Sequence, residues 1–203
     1  MRLAILGGPG AGKGTQATKL CQQRNIPLVS TGDILREAIA SQSDLGRQVQ
    51  PYVEKGELVP DTLLIEFMRQ RLLQPDTARG WLLEGYPRTA FQAEELDFLL
   101  DELQQQLDWA IYLEVPESVM SCRCVGKLNN PGSKASQGNS RPDDHPEIVQ
   151  RRIDLFHERT VPILEYYGYC HRLLTINGNQ SPEEVHQEIL EQLKVPRELK
   201  LEN

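Results

Sequence analysis

Lys13 closes a glycine-rich run, Gly7-Gly8-Pro9-Gly10-Ala11-Gly12-Lys13, that continues into Gly14-Thr15. Glycines let a backbone bend round an anion, so that successive N–H groups face inward. A helix starting behind such a loop adds N–H donors without intrahelical acceptors, and a partial positive charge. The lysine adds a full charge that reaches outer phosphates. The spacing from Gly7 to Gly12-Lys13 fits the P-loop pattern, with one departure. The residue after the lysine is Gly14, and the hydroxyl comes one place later, at Thr15. A plain flexible turn is the bland alternative. A lysine-terminated match between a strand and a helix argues against it.

A second set of basic residues lies far along the chain, at Arg123, Lys127, Lys134, Arg141, Arg151 and Arg152. They sit in or beside Leu128 to Pro142, a stretch of Asn, Pro, Gly and Ser with almost nothing apolar. By composition this is a loop. It reads either as a solvated linker or as a lid that closes cations over phosphates.

Both sets need a frame, and strand and helix signals alternate along the chain. Leu3 to Leu6 is an apolar strand ahead of the glycine loop, and Gln16 to Arg24 a helix behind it. Further strands are expected at Ile26 to Ser30, Gly80 to Gly85, Trp109 to Val115 and Cys170 to Ile176. Helices are expected from Thr31 to about Ser41, from Asp44 to Lys55, from Pro60-Asp61 onward and from Thr89 to about Gln105. Another opens at Pro116-Glu117, and a capping box at Ser181 and Glu184 opens the last. Strands alternating with helices predict a parallel sheet covered on both faces, with ligands at the carboxyl ends of the strands.

Composition bounds the partners. The chain of 203 residues has 39% apolar residues, 25% charged residues and a net charge of −7. That suits one soluble domain and argues against nucleic acid as the main partner. No apolar run approaches the roughly 18 residues of a membrane span, and no signal-peptide layout opens the chain. The cysteines at 21, 122, 124 and 170 have neither a disulfide framework nor paired zinc spacing. A reducing cytoplasm is the default location.

Taken together, the motifs resemble the adenylate kinase family of nucleoside monophosphate kinases, of the short-lid type. GGPGAGKGTQ at 7–16 is similar to the family's form of the loop, including the displaced threonine. STGDILR at 30–36, GELVPD at 56–61, GYPRTAFQ at 85–92, RPDD at 141–144 and QRRI at 150–153 follow in the family's order. The resemblance implies a P-loop NTPase-type α/β fold: three layers, a central five-stranded parallel sheet, and two inserted segments. Residues 1–203 would form a single kinase domain, with a monophosphate-binding insertion at 30–59 and a lid at about 122–142.

The implied reaction is reversible transfer of the γ-phosphate of MgATP to AMP, giving two ADP. ATP would lie on Gly10, Ala11, Gly12, Lys13, Gly14 and Thr15, with Arg123, Lys127 and the backbone at Gln180. AMP would lie against Thr31, Arg36, Glu57, Leu58, Val59, Gly85, Tyr86, Pro87, Arg88 and Gln92. Arg141 and Arg152 would face both nucleotides. Lys13, Arg88, Arg123, Arg141 and Arg152 would be the catalytic cations. Magnesium would be held by the ATP phosphates and by waters near Thr15, Asp33 and Glu84. The short lid lacks the four-ligand zinc site of long-lid relatives, so no structural zinc is expected. The protein would be a cytoplasmic monomer with no nucleic-acid or membrane partner.

Gln92 carries two readings. By spacing, Thr89-x-x-Gln92 is a capping box; by resemblance, Gln92 reads the adenine edge. Two residues depart from the family. Lys127 stands where arginine is usual and loses the planar two-pronged grip. Glu84 stands where aspartate is usual and offers its carboxylate from a longer arm. Three rivals use the same motifs: a kinase for UMP or CMP, a nucleotide switch without turnover, and a small-molecule kinase with another acceptor. Thr31 and the Thr89…Gln92 pair resemble the AMP-using branch.

Overall fold

The structure, a computed structural model, describes residues 1–129 and 145–195, the side chains of 125–129 excepted. Its elements in order are β1 (Arg2–Leu6), α1 (Lys13–Arg24), β2 (Leu28–Ser30), α2 (Thr31–Ala40), α3 (Asp44–Glu54), α4 (Asp61–Leu72) and β3 (Trp81–Glu84). Then come α5 (Ala90–Glu102), β4 (Trp109–Glu114), α6 (Glu117–Asn129), α7 (Pro146–Leu155), α8 (Val161–Tyr169), β5 (Leu173–Asn177) and α9 (Pro182–Lys194). The five strands form one parallel sheet in the order β2-β3-β1-β4-β5.

Period-two alternation divides the core into two layers. Leu3 and Ile5 of β1 face one side, with Ala17 and Leu20 of α1 and Val185 and Ile189 of α9. Ala4 and Leu6 face the other, with Leu64 and Met68 of α4, Leu96 and Leu100 of α5 and Ile163 of α8. These β1 side chains are at most 3% exposed. A strand buried on both faces must be apolar throughout, as β1 is. The sheet thus places β1 centrally and delivers the glycine loop at its carboxyl edge.

Two expectations shift. Residues Pro146 to Tyr169 form a continuous helical stretch that the strand-and-helix reading passed over. A π-turn at Phe156–Thr160 joins α7 to α8. Pro162 follows Val161 in the first turn of α8, and its ring with no N–H suits a widened turn. The fifth strand starts at Leu173, not Cys170. Cys170 caps α8, and His171 takes a left-handed φ of 53°. The Arg172 N–H then donates to Tyr167 O at 2.8 Å, closing the helix before the strand can begin.

Helices α2 and α3 cross at Gly46. A Cβ there would collide with the Ala38 carbonyl and lie 2.8 Å from Ile39 N. Ser43 ties the same corner: its hydroxyl accepts from Gly46 N at 3.0 Å and donates to Ala38 O at 3.1 Å. Helix propensity alone would make Gly46→Ala stabilising by about 1 kcal/mol. The close crossing reverses the sign, because overpacking costs about 1–3 kcal/mol. Net of the propensity gain, differential scanning calorimetry of Gly46→Ala is expected to show a thermal midpoint lower by up to about 8 °C; a raised midpoint would refute the crossing.

Candidate active site

The glycine loop leaves β1 and enters α1 through Gly12, the N-cap, at φ 94°. The first turn of α1 carries N–H groups that no earlier turn can accept. Within the loop, Ala11 N donates to Gly8 O at 3.2 Å. The Lys13 ammonium folds back and donates to Gly7 O at 2.7 Å and Gly8 O at 2.8 Å. Behind the loop, Gln16 is 2% exposed and donates to Pro182 O at 2.8 Å, tying α1 to α9. His186 of α9 packs between Gln16 and Gln23, and burial depresses its basicity.

Helix α6 forms the floor. A Cβ at Gly8 would collide with Met120 Sδ. At Gly10, φ 74°, one would lie 2.7 Å from Met120 O and 3.1 Å from Cys124 Sγ. At Gly10 the obstacle is α6 backbone and φ is left-handed, so glycine is required there, whereas at Gly8 the obstacle is the flexible end of the Met120 side chain.

Opposite the loop, β2 and β3 end side by side, with Ser30 in register with Glu84. That register lets Ser30 Oγ donate to Glu84 Oε2 at 2.9 Å, while Thr31 Oγ1 donates to Glu84 O at 3.2 Å. Gly85, at φ 85°, follows; a Cβ there would collide with Thr31 Oγ1 and lie 3.1 Å from Arg88 Nη2. The Tyr86–Pro87 peptide bond is cis. Arg88 is held from three sides. Its Nε donates to Gly85 O at 2.8 Å and its N–H to Gln92 Oε1 at 2.7 Å, while its carbonyl accepts from Thr160 Oγ1 at 3.0 Å. Thr160 belongs to the π-turn, so the stretch passed over in the sequence fixes a residue singled out there. Tyr86 lies behind this wall, its hydroxyl donating to Gln92 O at 3.3 Å. Burial pushes that phenol well above its usual range, so it stays a neutral donor.

These parts enclose a cleft of about 640 Å³. Gly10, Gly12, Lys13, Gly14 and Thr15 border it from the loop; Thr31, Arg36, Glu57, Leu58 and Val59 border it from the α2–α4 side. Glu84, Gly85, Arg88, Gln92 and Arg152 complete the wall. Leu35, Val53 and Leu64 add an apolar patch that the sequence reading did not single out. Its signal was available: α4 carries Leu64 on the buried stripe that includes Met68. Lys13, Arg88 and Arg152 also border an adjoining small cavity with Pro87. Lysine and arginine from opposite ends of the chain thus share one space.

Other expected residues stand elsewhere. Ala11 and Tyr86 are buried behind the walls. Arg123 reaches past the loop, donating to Gly178 O at 3.0 Å. Gln180, two residues on, donates to Asn177 O at 3.0 Å and Glu188 Oε2 at 2.7 Å. Asp33 does not border the cleft and pairs with Arg36, one turn on. The Lys127 side chain, Lys134, Arg141 and most of the expected lid lie outside the described residues.

The α7 helix meets the α3 end at Gly56, where a Cβ would lie 2.8 Å from Ile148 Cγ2 and 3.3 Å from Arg152 Cγ. Beside this contact Arg151 grips Glu57 with two bonds, of 2.7 and 2.9 Å. The guanidinium holds the Glu57 carboxyl below its ordinary range. Arg151 thus spends its charge on a neighbour, while Arg152 borders the cleft.

A loop of this build at the carboxyl edge of a parallel sheet makes the chain a P-loop nucleotide-binding protein. Comparison with known proteins narrows this. The family model described as adenylate kinase matches residues 5–171. Adenylate kinase 2 of Nostoc sp. is 62% identical over 195 residues, covering 96% of this chain and 100% of the relative. Adenylate kinase 2 of Synechocystis sp. is 51% identical over 193 residues, covering 95% and 100%. The adenylate kinase of Acetivibrio thermocellus is 39% identical over 212 residues, covering 95% and 98%. The chain belongs to the adenylate kinase family. No described helix is long and apolar enough to cross a membrane.

Gly10 carries the sharpest steric demand in the loop. Gly10→Ala adds left-handed strain of about 1–2 kcal/mol and a clash with α6 backbone. Calorimetric titration is expected to show ATP binding at least about tenfold weaker, with the far-ultraviolet circular dichroism retained.

Proposed function

We propose that this chain transfers the γ-phosphate of MgATP to AMP and forms two ADP reversibly, the reaction of its family. The observation that carries the reading is the shared space: Lys13, Arg88 and Arg152 border one cleft between the glycine loop and the α2–α4 side. ATP lies along Gly10 to Thr15. AMP lies against Thr31, Arg36, Arg88 and the Glu57–Val59 backbone, with its base towards Leu35, Val59, Leu64 and Gln92. In this reading residues 30–59 are the monophosphate-binding insertion, and about 122–142 the lid. Arg123 and Gln180 serve the ATP end, and Lys127 and Arg141 join from the lid as it closes.

Phosphoryl transfer asks for placement and charge rather than covalent help. An oxygen of the AMP phosphate bonds to the γ-phosphorus as the bond to the β,γ-bridging oxygen breaks. The acceptor oxygen is already anionic, so no side chain need take a proton. Lys13, Arg88 and Arg152 stabilise the charge spread over the transferred group. Closure excludes water, which would otherwise take the phosphate.

The donor set suits magnesium. Mg²⁺ takes oxygen ligands, keeps several waters and leans on substrate phosphates. Thr15 and Glu84 offer oxygens at the cleft, and Ser30 orients the Glu84 carboxylate. Asp33, engaged by Arg36, is less available. Bound there with ATP, the ion would neutralise charge on the β- and γ-phosphates. The enzyme works as a cytoplasmic monomer on small nucleotides.

The test is a coupled assay for ADP with AMP, UMP and CMP as acceptors; AMP is expected to lead. Lys13→Met removes one charge aimed at the transferred group. That costs about 2.7–4 kcal/mol, or roughly a hundred- to a thousandfold in kcat. Near-normal turnover in that variant would refute the assignment.

A further inference from the structure

Gln92 is fully buried, yet it borders the cleft. Both ends of its amide are engaged from behind. Oε1 accepts from the Arg88 N–H at 2.7 Å, and Nε2 donates to Asp61 Oδ1 at 2.7 Å. The capping-box expectation for Thr89-x-x-Gln92 is therefore only half met. Thr89 Oγ1 accepts from Gln92 N at 3.1 Å, as a cap should. The reciprocal side chain, however, reaches Arg88 rather than Thr89.

The two partners of the amide are not interchangeable. A backbone N–H only donates, and an ionised carboxylate only accepts. Turning the amide over would set N–H against N–H and oxygen against oxygen, inside a site too buried for water to relieve it. The amide is thus held in one sense. By valence it keeps one lone pair on Oε1 and one N–H on Nε2 for a ligand. Asp61, the first residue of α4, does not itself border the cleft. Thr89 Oγ1 lies 3.4 Å from each of its carboxylate oxygens, which braces it from the α5 side.

We propose that Asp61 is a positioning residue for the acceptor-base preference: together with the Arg88 N–H it holds the Gln92 amide in one sense, which selects a 6-amino over a 6-oxo purine. The inference rests on the reading of Gln92 as the base contact. A 6-aminopurine presents an N–H donor at C6 beside an acceptor at N1. A 6-oxopurine presents the reverse, an acceptor at C6 beside N1–H. With C6 facing Oε1, the locked amide matches the first at both atoms and opposes the second at both. A glutamine free to turn would accept either base. A buried polar group left unpaired is what rejects the wrong substrate strongly.

Asp61→Leu removes the acceptor while keeping bulk, so that only the Arg88 N–H still resists turning of the amide. With AMP and GMP as acceptors, its AMP:GMP ratio of kcat/KM is expected to fall at least about threefold, the worth of one lost hydrogen bond. The change should come chiefly through a higher KM for AMP, with the KM for ATP held. Asp61→Asn, whose Oδ1 can still accept from Nε2, is expected to keep most of the ratio. A purely structural role would depress both acceptors alike, and an unchanged ratio would overturn the inference. Should Asp61→Leu not fold, the wild-type protein decides. In side-chain amide NMR, with Gln92→Met for assignment, the Gln92 NH₂ is expected as two resolved resonances protected from solvent exchange. Exchange at the rate of an exposed amide would overturn the lock. Wild-type enzyme that fails to phosphorylate AMP would overturn the parent reading as well; AMP turnover with an unchanged ratio overturns this inference alone.

Discussion

Cations gathered round one cleft repel each other, and the fold must hold them together regardless. The anchors it uses are mostly backbone carbonyls. Lys13 rests on Gly7 O and Gly8 O, Arg88 on Gly85 O, and Arg123 on Gly178 O. A carbonyl is a dipole, not a charge, so it fixes a side chain without cancelling what that side chain brings. Carboxylates hold two further arginines, Asp33 for Arg36 at the cleft and Glu57 for Arg151 beside it. Arg151 and Arg152 follow each other on α7, and Arg152 borders the cleft. A protein with a net charge of −7 thereby keeps a locally positive cleft.

The wall opposite the glycine loop follows a different logic. Here orientation matters more than charge, and it is obtained by making each polar atom answer to a partner of fixed kind. Ser30, Thr31, Glu84 and Gly85 meet at the ends of two paired strands; Arg88, Gln92, Asp61 and Thr160 form the next ring outward. Thr160 enters that ring only because a π-turn carries it to the Arg88 carbonyl. An irregular helix and a short run after β3 thus act on one residue from parts of the chain 72 positions apart.

How much of this was legible depended on how local the cause was. The glycine loop, the buried β1 and the α9 capping box are set by residues within a few positions of each other, and all are found where expected. The sheet partners could be anticipated as a class because βα alternation permits few arrangements. The start of β5 could not, because Cys170 and His171 are taken by the end of α8, a local contest that apolar content does not settle. The helical stretch from Pro146 onward carries Val149, Ile153, Phe156 and Thr160 at helical spacing, a signal present but masked by its charged residues. Gln92 shows the deepest limit. Cap and base contact share one spacing, and only the partners Asp61 and Arg88 N–H show where its side chain goes.

The strand order has a consequence for a chain emerging from the ribosome. The phosphate loop is made first, yet its bed is made late. The floor under Gly8 and Gly10 comes from Met120 and Cys124, and the carbonyl that steadies Arg123 belongs to Gly178, beyond the last strand. Central β1 must also wait for β3 and β4 before either flank is paired. A nascent chain therefore displays the nucleotide motif long before it can hold a nucleotide, and binding arrives together with the finished sheet rather than ahead of it.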